Sequence, residues 1–94
     1  MNRCFRSKAL ERSWWKGETR RVHPHHVDKL RRQLRLLDTA KVPEDMNVQG
    51  WRWHRLTGSE QGRYAVWVDQ NWRLTYGWAA DGVDAVDADY GDYH

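Results

Sequence analysis

The sequence predicts an α+β fold in the order β-α-α-β-β-β-β, with two helices packed on one face of a small twisted antiparallel sheet. Val27, Leu30, Leu34 and Leu37 recur at helical spacing. From residue 51 onward the period switches to two, as in Trp72, Leu74, Tyr76 and Trp78 alternating with Arg73, Thr75 and Gly77. The breaks between these alternating segments are short, and short connections join antiparallel neighbours. Ninety-four residues make one domain, spanning 1–94. Its core must be small, and large side chains fill it: 7 Trp, 4 Tyr and 1 Phe despite a mean hydropathy of −1.03.

Taken in chain order, residues 2–6 read as a short strand with Phe5 inward. Ser7 caps a helix from Lys8 through Trp15 that Gly17 ends. Leu10 and Trp14, four apart, share a face of it. Pro24 suits the first turn of the second helix, where a missing N–H costs nothing. Lys29, Arg31, Arg32 and Arg35 occupy the flanks and the side opposite the apolar stripe. Pro43 and Gly50 bracket a connector with a turn of helix. Residues 51–56 alternate, 57–62 form a turn-rich break, and 64–68 are β-branched and aromatic. Asp69-Gln70-Asn71 turns the chain into strand 72–78, and Ala80-Asp81-Gly82 turns it into strand 83–90. The apolar face of 72–78 should meet the helices, with Arg73 on the other. The seven tryptophans read as core rather than as a base-stacking platform, and the direction of Trp51 and Trp53 stays open.

Composition excludes several classes. So aromatic a chain is not a disordered tail, and no apolar run approaches the ~18 residues of a membrane span. Cys4 alone cannot form an internal disulfide and reads as a small buried side chain, fitting a reducing cytoplasm. His23, His25 and His26 around Pro24 lack the spacing of a zinc site and read as exposed histidines at a helix start; no metal and no cofactor is expected. Charge is divided along the chain. Residues 1–37 carry eleven Lys/Arg against three carboxylates, a balance of +8, and residues 38–94 a balance of −5. The last fourteen residues hold five aspartates and neither lysine nor arginine. Arg20, Arg21, Lys29, Arg31, Arg32 and Arg35 lie within sixteen residues, a density that suits phosphate backbones or an acidic partner.

These elements, with these residues, resemble the HigB-type toxins of bacterial toxin–antitoxin pairs, within the RelE/ParE superfamily. Arg52-Trp53-His54-Arg55-Leu56 is similar to the family's R-L-H-x-L, and Gly62-Arg63-Tyr64-Ala65-Val66 to its G-x-[WY]-[SA]-[VI]. Asn71-Trp72-Arg73 matches N-W-R, and Asp92-Tyr93-His94 matches the closing D-Y-H. The resemblance implies a ribosome-dependent endoribonuclease that cleaves mRNA in the ribosomal A site. It also implies a HigA-type helix-turn-helix antitoxin, through which the complex contacts operator DNA. Carried over position by position, the catalytic residues are His54, Arg73, Asp92, Tyr93 and His94. Thr57 stands where the family usually has a lysine, leaving Arg55 or Arg63 to compensate for a missing cation. With the basic helical half, Arg55 and Arg63 complete the expected RNA- and ribosome-binding set.

The residue types suit that chemistry. Cleaving RNA without metal takes a base for the 2′-hydroxyl proton, a cation for the charge growing on phosphorus, and an acid for the departing 5′-oxygen. His54 and His94 are candidate proton carriers because an ordinary histidine titrates near working pH. Asp92 orients or acts as base, Arg73 grips the phosphate with its fork of donors, and Tyr93 stacks on a splayed nucleotide. The alternative from the same superfamily is a ParE-like toxin that binds DNA gyrase without cutting RNA. His54 and the C-terminal triplet favour the nuclease; Thr57 leans the other way.

Overall fold

The computed structural model describes residues 5–17, 22–80, 82 and 84–92. Helix α1 spans Lys8–Lys16. Its start is capped as expected, the Leu10 N–H donating to Ser7 Oγ at 3.3 Å, and Gly17 leaves it with φ +66°. Helix α2 spans Val27–Thr39 and follows a single tight turn, Pro24–His26. The stripe read from the sequence is the buried one: Leu30, Leu34 and Leu37 are buried with Gln33, and Val27 packs against them half-covered.

Four antiparallel strands follow in sequential order: β1 His54–Arg55, β2 Arg63–Trp67, β3 Trp72–Trp78 and β4 Ala85–Asp92. The first strand of the predicted order falls mostly on residues 1–4, outside the described residues; Phe5 makes one parallel bridge, to Ala88 of β4. The strand expected over 51–56 is cut to two residues because Arg52 has φ +51°, a left-handed conformation that breaks the ladder. β4 carries a bulge opposite Thr75–Gly77, with Asp87 at φ +54° as the extra residue.

Both helices cover the sheet face formed by Val66, Leu74, Tyr76, Ala88 and Tyr90, where one core also takes in Leu10 and Met46. Each fully covered leucine there contributes about 2 kcal/mol by transfer from water. Tyr76 is buried with its hydroxyl satisfied twice: it donates to the Pro43 carbonyl at 2.8 Å and accepts from the Trp53 indole N–H at 2.8 Å. Burial pushes its phenol well above the usual range. The tryptophans ring this core instead of filling it. Trp14, Trp51, Trp53, Trp72 and Trp78 pack on its margin, Trp15 stands 60% exposed, and Trp67 points the other way. Indoles are too large for so small an interior to cover completely. The direction left open for Trp51 and Trp53 is thereby settled toward the core.

Candidate active site

Alternation in β2 and β3 leaves the face away from the helices to Ala65, Trp67, Arg73 and Thr75. The register pairs Ala65 with Thr75 and Trp67 with Arg73, and His54 lies beside Ala65 across β1. These residues, with Arg52 and Leu56, line an open cleft of about 510 Å³. Its floor is low because Ala65 and Thr75 are small and buried. Among the described residues none of the lining is Asp or Glu, so the cleft itself presents two guanidinium groups and an imidazole.

His54 is exposed, and its Nδ1 lies 2.9 Å from the Arg52 carbonyl. A carbonyl only accepts, so Nδ1 carries the proton of that bond. In the neutral ring Nε2 then keeps its lone pair. The left-handed backbone at Arg52 is what aims this carbonyl.

Arg73 is held by its own turn. Nη1 donates to the carbonyls of Asp69 at 2.9 Å and Gln70 at 3.0 Å, and the guanidinium lies 4.2 Å from the centre of the Trp67 ring. Partial burial lowers its pKa from the ordinary value while Asp69 and Asp92 pull the other way; an arginine so placed stays charged. The turn is pinned by the Asp69 carboxylate, whose Oδ1 accepts from the N–H groups of Asn71 and Trp72, both at 2.8 Å. Its Oδ2 meets His26 Nε2 at 2.5 Å. Desolvation works to raise the Asp69 pKa, but the bonds from Trp72, His26 and Asn71 outweigh it and hold the carboxyl at about 2. His26 reaches on through Nδ1 to the Tyr90 hydroxyl at 2.7 Å. Burial pushes that phenol up; the His23 N–H opposes the shift and the Asp69 charge adds to it. His26 is thus 5% exposed, correcting its reading as a surface histidine, while His23 and His25 are exposed as expected. Among the described residues no group of three His, Cys, Asp or Glu side chains could hold a metal ion.

The remaining expected residues scatter. Asp92 ends β4 opposite Trp72, one step from the Arg73–Gly91 pair, close enough for its charge to act on Arg73. Tyr93, His94, Arg20, Arg21 and Cys4 lie outside the described residues. Arg63, expected to meet RNA, is 8% exposed and donates to Thr75 Oγ1 at 3.0 Å and to the Asp87 carbonyl at 2.9 Å. Glu60 sits 3.4 Å from its Nε. Its guanidinium props the cleft floor from inside and is not presented to a ligand. Arg55 points to the opposite side of β1 from His54, near Glu44 and over Trp53. Lys29, Arg31, Arg32 and Arg35 ride on α2, behind the sheet and away from the cleft. Two contributors went unsingled in the sequence, Arg52 and Trp67. Parity could have found Arg52, which shares its period-two phase with His54; nothing local marked Trp67 as facing away from the core.

The chain is similar to known proteins. The family model for the RelE-like toxin of the type II toxin–antitoxin system HigB matches residues 3–94. Endoribonuclease HigB of Proteus vulgaris is 33% identical over 94 residues, covering all of both chains. Toxin HigB-1 of Vibrio cholerae is 31% identical over 81 residues, 84% of each. Among solved structures, YafQ of E. coli superposes with a TM-score of 0.63 over 98% of this chain and 91% of that one; at 18% identity the likeness is one of fold.

Proposed function

The chain belongs to the RelE-like HigB toxins of type II toxin–antitoxin systems, and on that footing we propose that it is a ribosome-dependent endoribonuclease that cleaves mRNA in the A site and so stops translation. The observation that carries this reading is the meeting of His54 and Arg73 in one open cleft whose described lining has no carboxylate. Such a cleft attracts a polyanion, and it supplies a proton carrier and a phosphate ligand from adjacent rows of the sheet.

In the proposed reaction the 2′-oxygen attacks the adjacent phosphorus as its proton leaves to a base, the P–O5′ bond breaks, and an acid protonates the departing 5′-oxygen. The products are a 2′,3′-cyclic phosphate and a free 5′-hydroxyl. The Nδ1 bond to Arg52 supports His54 Nε2 as the proton acceptor. Arg73 takes the charge growing on the phosphorane through N–H groups not spent on its turn. Asp92, Tyr93 and His94 are assigned by family position: Asp92 to orient, Tyr93 to stack on the nucleotide, His94 to donate the final proton. The cations of α2 would bind ribosomal RNA on the opposite face, with Arg55 as a further contact, so one side grips the ribosome while the other cuts. As a type II toxin the protein has an antitoxin partner. We assign it to the HigA helix-turn-helix type, with operator DNA reached through it, and place the protein in the cytoplasm. No helix among the described residues is long and apolar enough to cross a membrane.

The test is primer extension on translating ribosomes programmed with a defined mRNA, alongside His54→Ala and His94→Ala. New 5′ ends at A-site codons, absent with free RNA and with either variant, are the expected result. A folded wild-type protein that arrests growth yet leaves the message intact would refute the nuclease and turn attention to a gyrase-type target.

A further inference from the structure

Trp67 carries a cation on each side. Arg73 is its partner across β2 and β3, with the guanidinium 4.2 Å from the ring centre. Arg52 lies 4.5 Å from the same centre. The ladder slips at Arg52, where the Trp67 N–H donates to the Trp51 carbonyl at 2.7 Å, and the left-handed backbone there lays the Arg52 guanidinium against Trp67. The side chains therefore line up as Arg52, Trp67 and Arg73, next to the row His54, Ala65, Thr75. Two like charges held on one indole repel each other. Among the described residues neither has a carboxylate at ion-pair distance, and Arg52 makes no side-chain hydrogen bond. Both stay because the ring attracts each guanidinium. With its neighbours so occupied, Trp67 serves as a brace and not as a surface for a base. Arg55 and Arg63, the cations expected to make up for the lysine absent at Thr57, are turned away or buried.

We infer that Arg52 is a second phosphate ligand, forming with Arg73 a two-guanidinium clamp, braced by Trp67, on the scissile phosphodiester. The inference rests on the nuclease reading and names the group that supplies its missing positive charge. Its chemistry is non-covalent: guanidinium N–H groups donate to the non-bridging oxygens, more strongly as charge builds in the transition state. The fork of an arginine suits that geometry better than an ammonium.

The experiment follows binding and cleavage separately. A short fluorescent single-stranded 2′-O-methyl oligoribonucleotide, which lacks the attacking hydroxyl, is titrated by anisotropy at several salt concentrations. The proteins are the wild type, Arg52→Gln, Arg52→Lys and Lys41→Gln. Glutamine keeps a Cβ at the left-handed position, so the backbone that aims at His54 is perturbed no more than before; thermal melts verify folding. Arg52→Gln should weaken binding about ten- to a hundredfold, the effect of removing one charged hydrogen-bond donor. It should also flatten the slope of log affinity against log salt by about 0.7, the value of one phosphate contact on a single strand. Arg52→Lys should fall between, and Lys41→Gln, matched in net charge but placed after α2, should bind as wild type does. On ribosomes Arg52→Gln should lower the cleavage rate. Wild-type affinity and slope in Arg52→Gln would overturn the inference, as would failure of the wild type to bind at low salt. Absence of ribosomal cleavage by a wild type whose binding does depend on Arg52 would instead refute the nuclease reading and leave the clamp standing.

Discussion

Replacing Asp69 by Asn tests whether the turn beneath Arg73 is held by charge. The amide keeps an oxygen for the N–H groups of Asn71 and Trp72 but turns an NH₂ toward His26 Nε2, a donor facing a donor in a half-buried setting. Lowering a carboxyl from 3.8 to about 2 corresponds to at most about 2.5 kcal/mol at 1.36 per unit. The Asp69 side chain is 47% exposed, and solvent screening brings this nearer about 1 kcal/mol. Leaving the His26 N–H unmatched adds about 1 kcal/mol more. The expected loss is therefore about 1–2 kcal/mol, or about 5–10 °C in melting temperature for a domain of this size. Because the folded pKa is depressed, the wild-type advantage is full above about pH 4 and fades as pH falls through about 2. Urea unfolding followed by tryptophan fluorescence at pH 6 and at pH 2.5 measures it, with the midpoint shifting at constant slope. A gap between the two proteins that is absent at pH 6, or as large at pH 2.5 as at pH 6, would refute the reasoning. Cleavage should fall as well, because Arg73 Nη1 donates to the carbonyls of this turn.

Other outcomes follow from the same contacts. His54→Ala should reduce kcat by about 10²–10⁴ while leaving the melting temperature nearly unchanged, since the ring is exposed and makes one backbone bond; single-turnover kinetics and calorimetry separate the two. Arg63→Met should do the reverse, costing about 1–3 kcal/mol by stranding Thr75 and the Asp87 carbonyl, with kcat declining only as far as the floor shifts. Tyr76→Phe should cost about 1–3 kcal/mol in denaturant unfolding, because the Pro43 carbonyl and the Trp53 indole N–H lose their common partner.

The period-two run from Trp72 to Trp78 was enough to put Leu74 and Tyr76 on the helix side and Arg73 on the other, because a strand's two faces are fixed by its pleat alone. The stripe of α2 was equally legible, and so was Ser7 as a cap, since each is a relation among residues at most ten apart. The motif around His54 falls on the strand that lines the cleft. Tertiary structure decided everything that depends on where one element meets another. Arg52 meets Trp67 and aims its carbonyl at His54 because its backbone turns left-handed where the ladder with β2 breaks. Arg63 belongs to the same strand face as the cleft, yet the β4 bulge at Asp87 offers its guanidinium a carbonyl that, with Thr75, draws it out of solvent. His26, one of three histidines alike in sequence, is singled out by Asp69 and Tyr90, 43 and 64 residues away. Local periodicity ranks the faces of each element, but a side chain's partner is set by register, bulges and packing between distant segments. The sequence therefore determined the sheet, the helices and the strand that carries His54, and the tertiary fold decided which cations share its cleft.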